Sequence, residues 1–258
     1  MTPEEKYGFG PRFYRSQMGH GRFKAFEVSF KDSDLWIGVD SKSFIPDMVD
    51  FARSSLIALR QELEEFILRC PQFRTSFSPI EIGPFAPDVA ISMCNAGKIA
   101  GTGPMAAVAG AFSEVLGKAL KKKFKIGEII VENGGDIYLD IQKDIVLSVY
   151  AGNSPLSGKI GVQISHELSP LGVCTSAGKI GPSVSFGRAD AVMVACYNTA
   201  LSDALATALG NLVTSPEDIK TVITKAQKYS EIISAIIICD DKIGVSGQLS
   251  ICPINSLP

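Results

Sequence analysis

Two periodicities alternate along this chain. Between residues 22 and 40, FKAFEVSF and LWIGVD alternate apolar and polar positions about the polar stretch Lys31-Asp32-Ser33-Asp34, which predicts a β-hairpin. Residues 48–69 change period. Met48, Phe51, Ala52, Ser55, Leu56, Leu59, Leu63, Phe66 and Ile67 share one helical face, and Pro71 ends the helix. Four prolines then fall between 71 and 87, and their apolar neighbours predict a rigid traverse rather than a loose linker. Residues 105–122 predict a helix of small residues with Pro104 in its first turn. Ala and Gly at 106, 107, 109, 110 and 111 let another backbone come close.

Strands are predicted at 128–132, 136–141, 145–151, 159–164, 171–174 and 191–197, and helices at 199–212 and 218–229. A strand at 235–239 and one C-terminal strand close the chain. Neighbouring strands joined by short turns predict an antiparallel sheet carrying helices, the α+β class. The small-residue texture of 105–122 returns at 199–212, which suggests duplicated halves at 22–141 and 145–252 within one domain spanning 1–258.

Composition narrows the function classes. A chain that is 46% hydrophobic and 20% charged has ample core, which excludes disorder. The formal net charge of −2 argues against nucleic acid as a partner, and the cationic run at 118–125 reads as a solvated helix end. None of the six cysteines forms a C-x-x-C pair, and several lie in apolar runs, which points to a reducing compartment. The leader lacks an apolar signal core, and no apolar run approaches the roughly 20 residues that span a bilayer. A cytoplasmic protein with no membrane partner is expected. Tyr7, Phe9, Arg12, Phe13, Tyr14 and Arg15 make an aromatic and basic arm that suits its own domain, a second subunit of a homo-oligomer, or a ligand.

The candidate chemistry concentrates between 172 and 211, which reads as a site for a phosphate-bearing ligand and a hard metal ion. Asp203 and Thr207, at i and i+4, face one side of a helix and suit part of a Mg²⁺ shell. A helix cap is the plainer reading. Thr175, Ser176 and Gly178 follow a strand and offer hydroxyls and a backbone nest to phosphate, or simply cap a turn. Asn133, Gly134, Gly135 and Asp136 read as a hairpin turn or as a flat surface that a planar ligand can approach. His20 and His166 stand beside no nucleophile, so a Ser-His-Asp hydrolase is unsupported, and neither a Walker loop nor G-x-G-x-x-G is present.

GPMAAVAGAFSEVLG, VENGGDIYL, CTSAGKIGPSVSFGRADAV and SDALATALGN together resemble the UPF0280 family, part of the ApbE-like group of flavin transferases. That resemblance covers nearly the whole chain, including LWIGVD and FRTSFSPI. It implies a T-fold-like architecture of duplicated antiparallel hairpins with helices packed on the sheet. It also implies FAD as substrate or ligand and Mg²⁺ as cofactor, with FMN transferred to a Thr of a target protein or FAD hydrolysed to FMN and AMP. A non-catalytic module binding a flavin or other nucleotide is the alternative. Asp203 and Thr207 match the metal-binding pair of that group, with a main-chain carbonyl around Ala107. Asn133, Gly134, Gly135 and Asp136 match its flavin-side turn, and Thr175, Ser176 and Gly178 its T-S-x-G turn. Two departures stand out. The group's His-x-x-Asp-Pro block is replaced by Gly181-Pro182-Ser183-Val184-Ser185-Phe186, and Gly110 stands nearest the place of a helix lysine. Asp190 and Asp136 are left as candidate bases by elimination.

Overall fold

The first hairpin forms as β1 (Phe23–Phe30) and β2 (Ser33–Asp40), and Phe30 lies opposite Ser33, so Lys31 and Asp32 alone make the turn. This is a computed structural model describing residues 21–178 and 187–254. The aromatic arm, His20 and the stretch containing Pro182 lie outside the described residues.

The long amphipathic helix α1 (Asp47–Arg69) buries Met48, Ala52, Leu56, Leu59, Leu63 and Phe66 and packs on β1. Arg60 pairs with Asp32 and Glu64, and Lys31 also reaches Glu64, which ties the helix to the hairpin turn. A short α2 (Gln72–Thr75) sets Phe73 edge-on against Phe66, with ring centroids 5.3 Å apart.

The next helix, α3 (Asp88–Ala100), has no counterpart in the sequence reading. Pro87 precedes it, Asp88 sits in its first turn and Gly101 ends it at φ 77. Those are ordinary start and stop signals. The predicted helix at 105–122 is divided: a 3₁₀ turn (Pro104–Ala107) gives way to α4 (Val108–Lys123).

After α4 come β3 (Ile129–Asn133), β4 (Asp136–Asp140), β5 (Ile145–Ser148), β6 (Ile160–Ile164), β7 (Leu171–Ser176) and β8 (Ala191–Cys196). Helices α5 (Thr199–Gly210) and α6 (Ile219–Ala226) follow. The single predicted C-terminal strand is two. After β9 (Ser234–Cys239), β10 (Lys242–Gly247) returns to the same sheet and β11 (Ser250–Pro253) crosses to another.

Eight strands run in the order β1-β2-β3-β4-β7-β8-β9-β10, every neighbouring pair antiparallel. A second sheet is ordered β11-β6-β5. The large sheet is buried on both faces, as its apolar runs require. Ile129, Val131, Val192, Val194 and Ile237 join the helical core, while Ile130, Met193, Ile236 and Ile238 join the core under the small sheet. The molecule is therefore α+β in three layers: helices, large sheet, small sheet. The order hairpin, helices, hairpin occurs twice, as β1-β2 to β3-β4 and as β7-β8 to β9-β10. Strands β5, β6 and β11 stand outside that repeat. Among the described residues no single helix is long and apolar enough to cross a membrane.

Candidate functional site

The site lies where α4 and α5 cross over the middle of the large sheet. Small residues make the crossing tight. A methyl group at Gly110 would fall 2.4 Å from the Thr199 carbonyl oxygen and 2.9 Å from the Asp203 Cβ, so no side chain fits there. The missing helix lysine thus has a steric cause. Gly172 of β7 has the same relation to α5, since its added Cβ would lie 2.5 Å from the Thr199 Cα.

At this crossing each helix caps the other. The first N–H groups of a helix have no partner within it. Asp203 Oδ2 accepts the Gly110 N–H at 2.9 Å and the carboxylate also bonds the Ala109 N–H, so a residue of α5 caps α4. In return Glu114 of α4 accepts the Thr199 N–H at 2.7 Å, and Asn198 accepts the Leu201 N–H at 2.8 Å. The capping alternative for Asp203 required its own helix to begin later; α5 instead begins at Thr199 with Asn198 as its cap, and Asp203, inside α5, caps α4.

The β3–β4 turn reaches the same place from below. Asn133 pairs with Asp136, and Gly134 and Gly135 take φ values of 70° and 101°, which accounts for both glycines as a two-residue turn. Gly135 donates its N–H to Glu132 Oε1 at 2.7 Å and its carbonyl accepts the Thr175 N–H at 3.2 Å. Asn133 Nδ2 donates to the Ala109 carbonyl at 3.3 Å. The Ser113 hydroxyl lies 3.0 Å from the carbonyl oxygens of both Ala109 and Asp136, linking α4 to β4.

Two buried acids, Asp136 and Asp203, are both tied to the first turns of α4, Asp203 through the Ala109 and Gly110 N–H groups and Asp136 through its carbonyl bond to Ser113. Asp136 and Asp203 are 8% and 9% exposed. Burial pushes Asp203 up to about 7 despite its two backbone bonds. Burial first, and then the negative charge of Asp203, hold Asp136 well above the usual carboxylate range. Its Oδ1 has no hydrogen-bond partner. Cys174 lies against the pair, fully buried, with Sγ 3.4 Å from the Thr199 carbonyl oxygen. Burial raises this thiol, so it sits there protonated.

Ala107 is fully buried at the joint of the 3₁₀ turn and α4, with non-helical φ −118° and ψ 5°. Thr207 is half-buried one turn beyond Asp203. Strand β7 runs alongside α5: Gly172 touches Thr199, and the Ser176 hydroxyl lies within 3.6 Å of a Cβ built on Gly210. Thr175 and Ser176 therefore flank the stretch of α5 that carries Thr207. Their backbone is not a free nest. The Thr175 N–H is bonded to Gly135 and the Gly178 N–H to the Ala189 carbonyl at 2.9 Å. Hydroxyls are what this strand end offers. Gly178 is fixed by packing, because its Cβ would meet the Gly187 carbonyl oxygen at 2.2 Å.

Asp190 has a structural task. Its Oδ2 accepts the Asp240 N–H at 2.7 Å, holding the β9–β10 turn. The sequence reading passed over Ser113, Glu114, Glu132 and Cys174. Ser113-Glu114 inside an otherwise apolar helix was the available signal. A groove of about 590 Å³ bordered by Leu59, Glu62, Phe85 and Val115 lies on the outer helices, away from these residues.

Comparison with known proteins bears on the fold and the family. The family model described as AbpE bacteria matches residues 15–240. The UPF0280 protein of Methanocaldococcus jannaschii is 38% identical over 227 residues, covering 86% of this chain and 90% of that protein. The UPF0280 protein of Methanocella arvoryzae is 40% identical over 195 residues, covering 76% and 79%. Among solved structures, the flavinyl transferase ApbE of Pseudomonas stutzeri, in its apo form, superposes with a TM-score of 0.56 at 12% identity, covering 87% of this chain and 93% of that one. The flavin transferase ApbE of Vibrio cholerae gives 0.54 at 13% identity, covering 87% and 96%. At such identities the structural likeness shows the fold alone.

Proposed function

This chain belongs to the UPF0280 family of ApbE-like proteins, and from that membership we propose that the α4–α5 crossing binds FAD with a divalent metal and acts on its pyrophosphate. The observation that carries the reading is the buried Asp136–Asp203 pair with Oδ1 of Asp136 left without a partner. A buried carboxyl oxygen without a partner is costly, and native interiors keep such groups where a ligand completes them.

The donors fit a hard cation. Asp203, the Thr207 hydroxyl and the Ala107 carbonyl are all oxygen ligands, the kind Mg²⁺ takes. When bound, Mg²⁺ supplies Lewis-acid neutralisation of charge on the pyrophosphate. The protein's own groups do the rest. Asn133 holds the turn against α4 through the Ala109 carbonyl, and the Thr175 and Ser176 hydroxyls stand ready to bond phosphate oxygens. Gly134 and Gly135 keep the turn free of side chains for a planar ring.

The test is direct. The pure protein is incubated with FAD and Mg²⁺, and AMP and FMN are measured by chromatography. Both should appear, and Asp203→Ala should reduce their rate at least about a hundredfold, the usual scale for removing a group that stabilises developing charge. No product from the parent, with no change in Asp203→Ala, sinks the catalytic reading.

A second reading, a binding module without turnover, is favoured by one observation: at Gly110 there is no room for a lysine side chain. FAD retained at one equivalent and never cleaved would decide for it. The internal duplication is proposed on the repeated order of hairpin, helices and hairpin. A reducing, cytoplasmic setting is proposed on the free cysteines, four of them buried.

A further inference from the structure

Asp136 stands in a different position from its neighbour. Asp203 is met by two N–H groups at the positive end of α4. Asp136 sits at the start of β4, where the Cys174 thiol and the Thr175 backbone reach its carboxyl group but leave Oδ1 unpaired. A buried carboxylate oxygen without a partner costs about 1–3 kcal/mol or more. Asp203 adds charge repulsion to that cost. The surrounding bonds hold the arrangement in place: Ser113 fixes the Asp136 carbonyl, and Asn133 fixes the turn against α4.

We propose that Asp136 is itself a metal ligand, forming with Asp203 a two-carboxylate site that takes a divalent, oxygen-preferring cation before any nucleotide arrives. This rests on the reading of the crossing as a metal-dependent flavin site and changes what that site requires. A shell built on Asp203, Thr207 and Ala107 carries one negative charge and draws its remaining ligands from water and substrate phosphate. With Asp136 included, the two carboxylates match the charge of the ion. The cation is then a resident of the protein, and the nucleotide docks onto it.

Calorimetry decides the matter. MnCl₂ is titrated into the full chain after chelator treatment, with no nucleotide present. One ion per chain should bind, and Asp136→Asn and Asp203→Asn should each weaken it at least about tenfold. The proposal is overturned if Asp136→Asn binds Mn²⁺ as tightly as the parent, or if the parent takes up Mn²⁺ only once FAD is added. Should Asp136→Asn fail to fold by circular dichroism, MnCl₂-soaked crystals of the parent replace it. An anomalous peak about 2.1–2.2 Å from Asp136 Oδ1 supports the site, and a peak elsewhere or none overturns it. A parent that binds FAD but no Mn²⁺ sinks this inference and leaves the flavin reading standing. A parent that binds neither sinks both.

Discussion

Two hairpin turns of the large sheet are built alike and differ in one oxygen atom. At the β3–β4 turn, buried Glu132 holds the Gly135 N–H at 2.7 Å. At the β9–β10 turn, buried Asp190 holds the Asp240 N–H at the same distance. Acidic groups gather around both. Asp190, Cys239 and Asp240 bring their donor atoms within 4.8 Å of one another, and the buried Asp136 and Asp203 are both tied to the start of α4 beside the first turn. At β9–β10 the buried acid serves the main chain. At β3–β4 a further acid, Asp136, keeps an unsatisfied oxygen. The number of acids does not separate a structural turn from a candidate site. What separates them is whether each buried oxygen already has something to bond.

Mutations can break this contrast. The largest effect belongs to Gly110→Ala, which forces a methyl group against the Thr199 carbonyl oxygen at the helix crossing. Urea unfolding should show a loss of about 1–3 kcal/mol or more, the scale of overpacking a tight core, together with loss of ligand binding. A variant as stable as the parent would mean that the crossing is loose, and the steric account of the absent lysine would fall. Next comes Asp190→Ala. It strands the Asp240 N–H and should cost about 1–3 kcal/mol while leaving FAD affinity unchanged. A fall in affinity without a fall in stability would reverse the roles assigned to the two turns.

The smallest effect has the opposite sign. Asp136→Asn replaces a buried carboxyl beside Asp203 with a neutral amide, so the metal-free protein should unfold in urea at pH 8 no more easily than the parent. The pH dependence of the parent follows the same logic. Asp203 is raised from 3.8 to about 7 on folding. The folded state therefore binds the proton more tightly, and this contribution is complete below about pH 3.8 and is lost as pH rises through about 7. Chemical unfolding in chelator between pH 5 and 8 should show stability falling with pH, and Asp203→Asn should flatten that slope. A parent whose stability rises over this range would contradict the buried-pair description.

Most of the fold was legible because its signals are local. Alternation in FKAFEVSF and LWIGVD, the spacing from Met48 to Phe66, and the Asn-Gly-Gly-Asp turn each specify an element within a few residues. Helix α3 escaped because DVAISMCNAGKIA has few polar residues to mark an outer face, although Pro87 and Gly101 bracket it. Its Gly97 packs against the Thr102 carbonyl, a tertiary reason for a residue that otherwise argues against helix. The site was legible as residues and not as an arrangement. Asp203, Asp136 and Asn133 could be singled out in the chain. That Asp203 caps the start of another helix, or that Glu114 returns the favour at Thr199, follows only from the crossing. At 175–178 the chain could not reveal that the Thr175 and Gly178 N–H groups bond to Gly135 and Ala189, far away in sequence or across a loop.

The bond from Gly110 to Asp203 spans 93 residues of chain. Strands β3, β4, β7 and β8 all lie in the chain between its two ends. Closing so long a loop carries a chain-entropy cost that contacts within one helix do not carry. A ligand seated there meets nothing to hold in a half-folded chain, and its whole binding energy stabilises the finished molecule. If the crossing holds the proposed ligand, its supply would set how much of the chain stands folded, and a shortage would appear first as falling abundance.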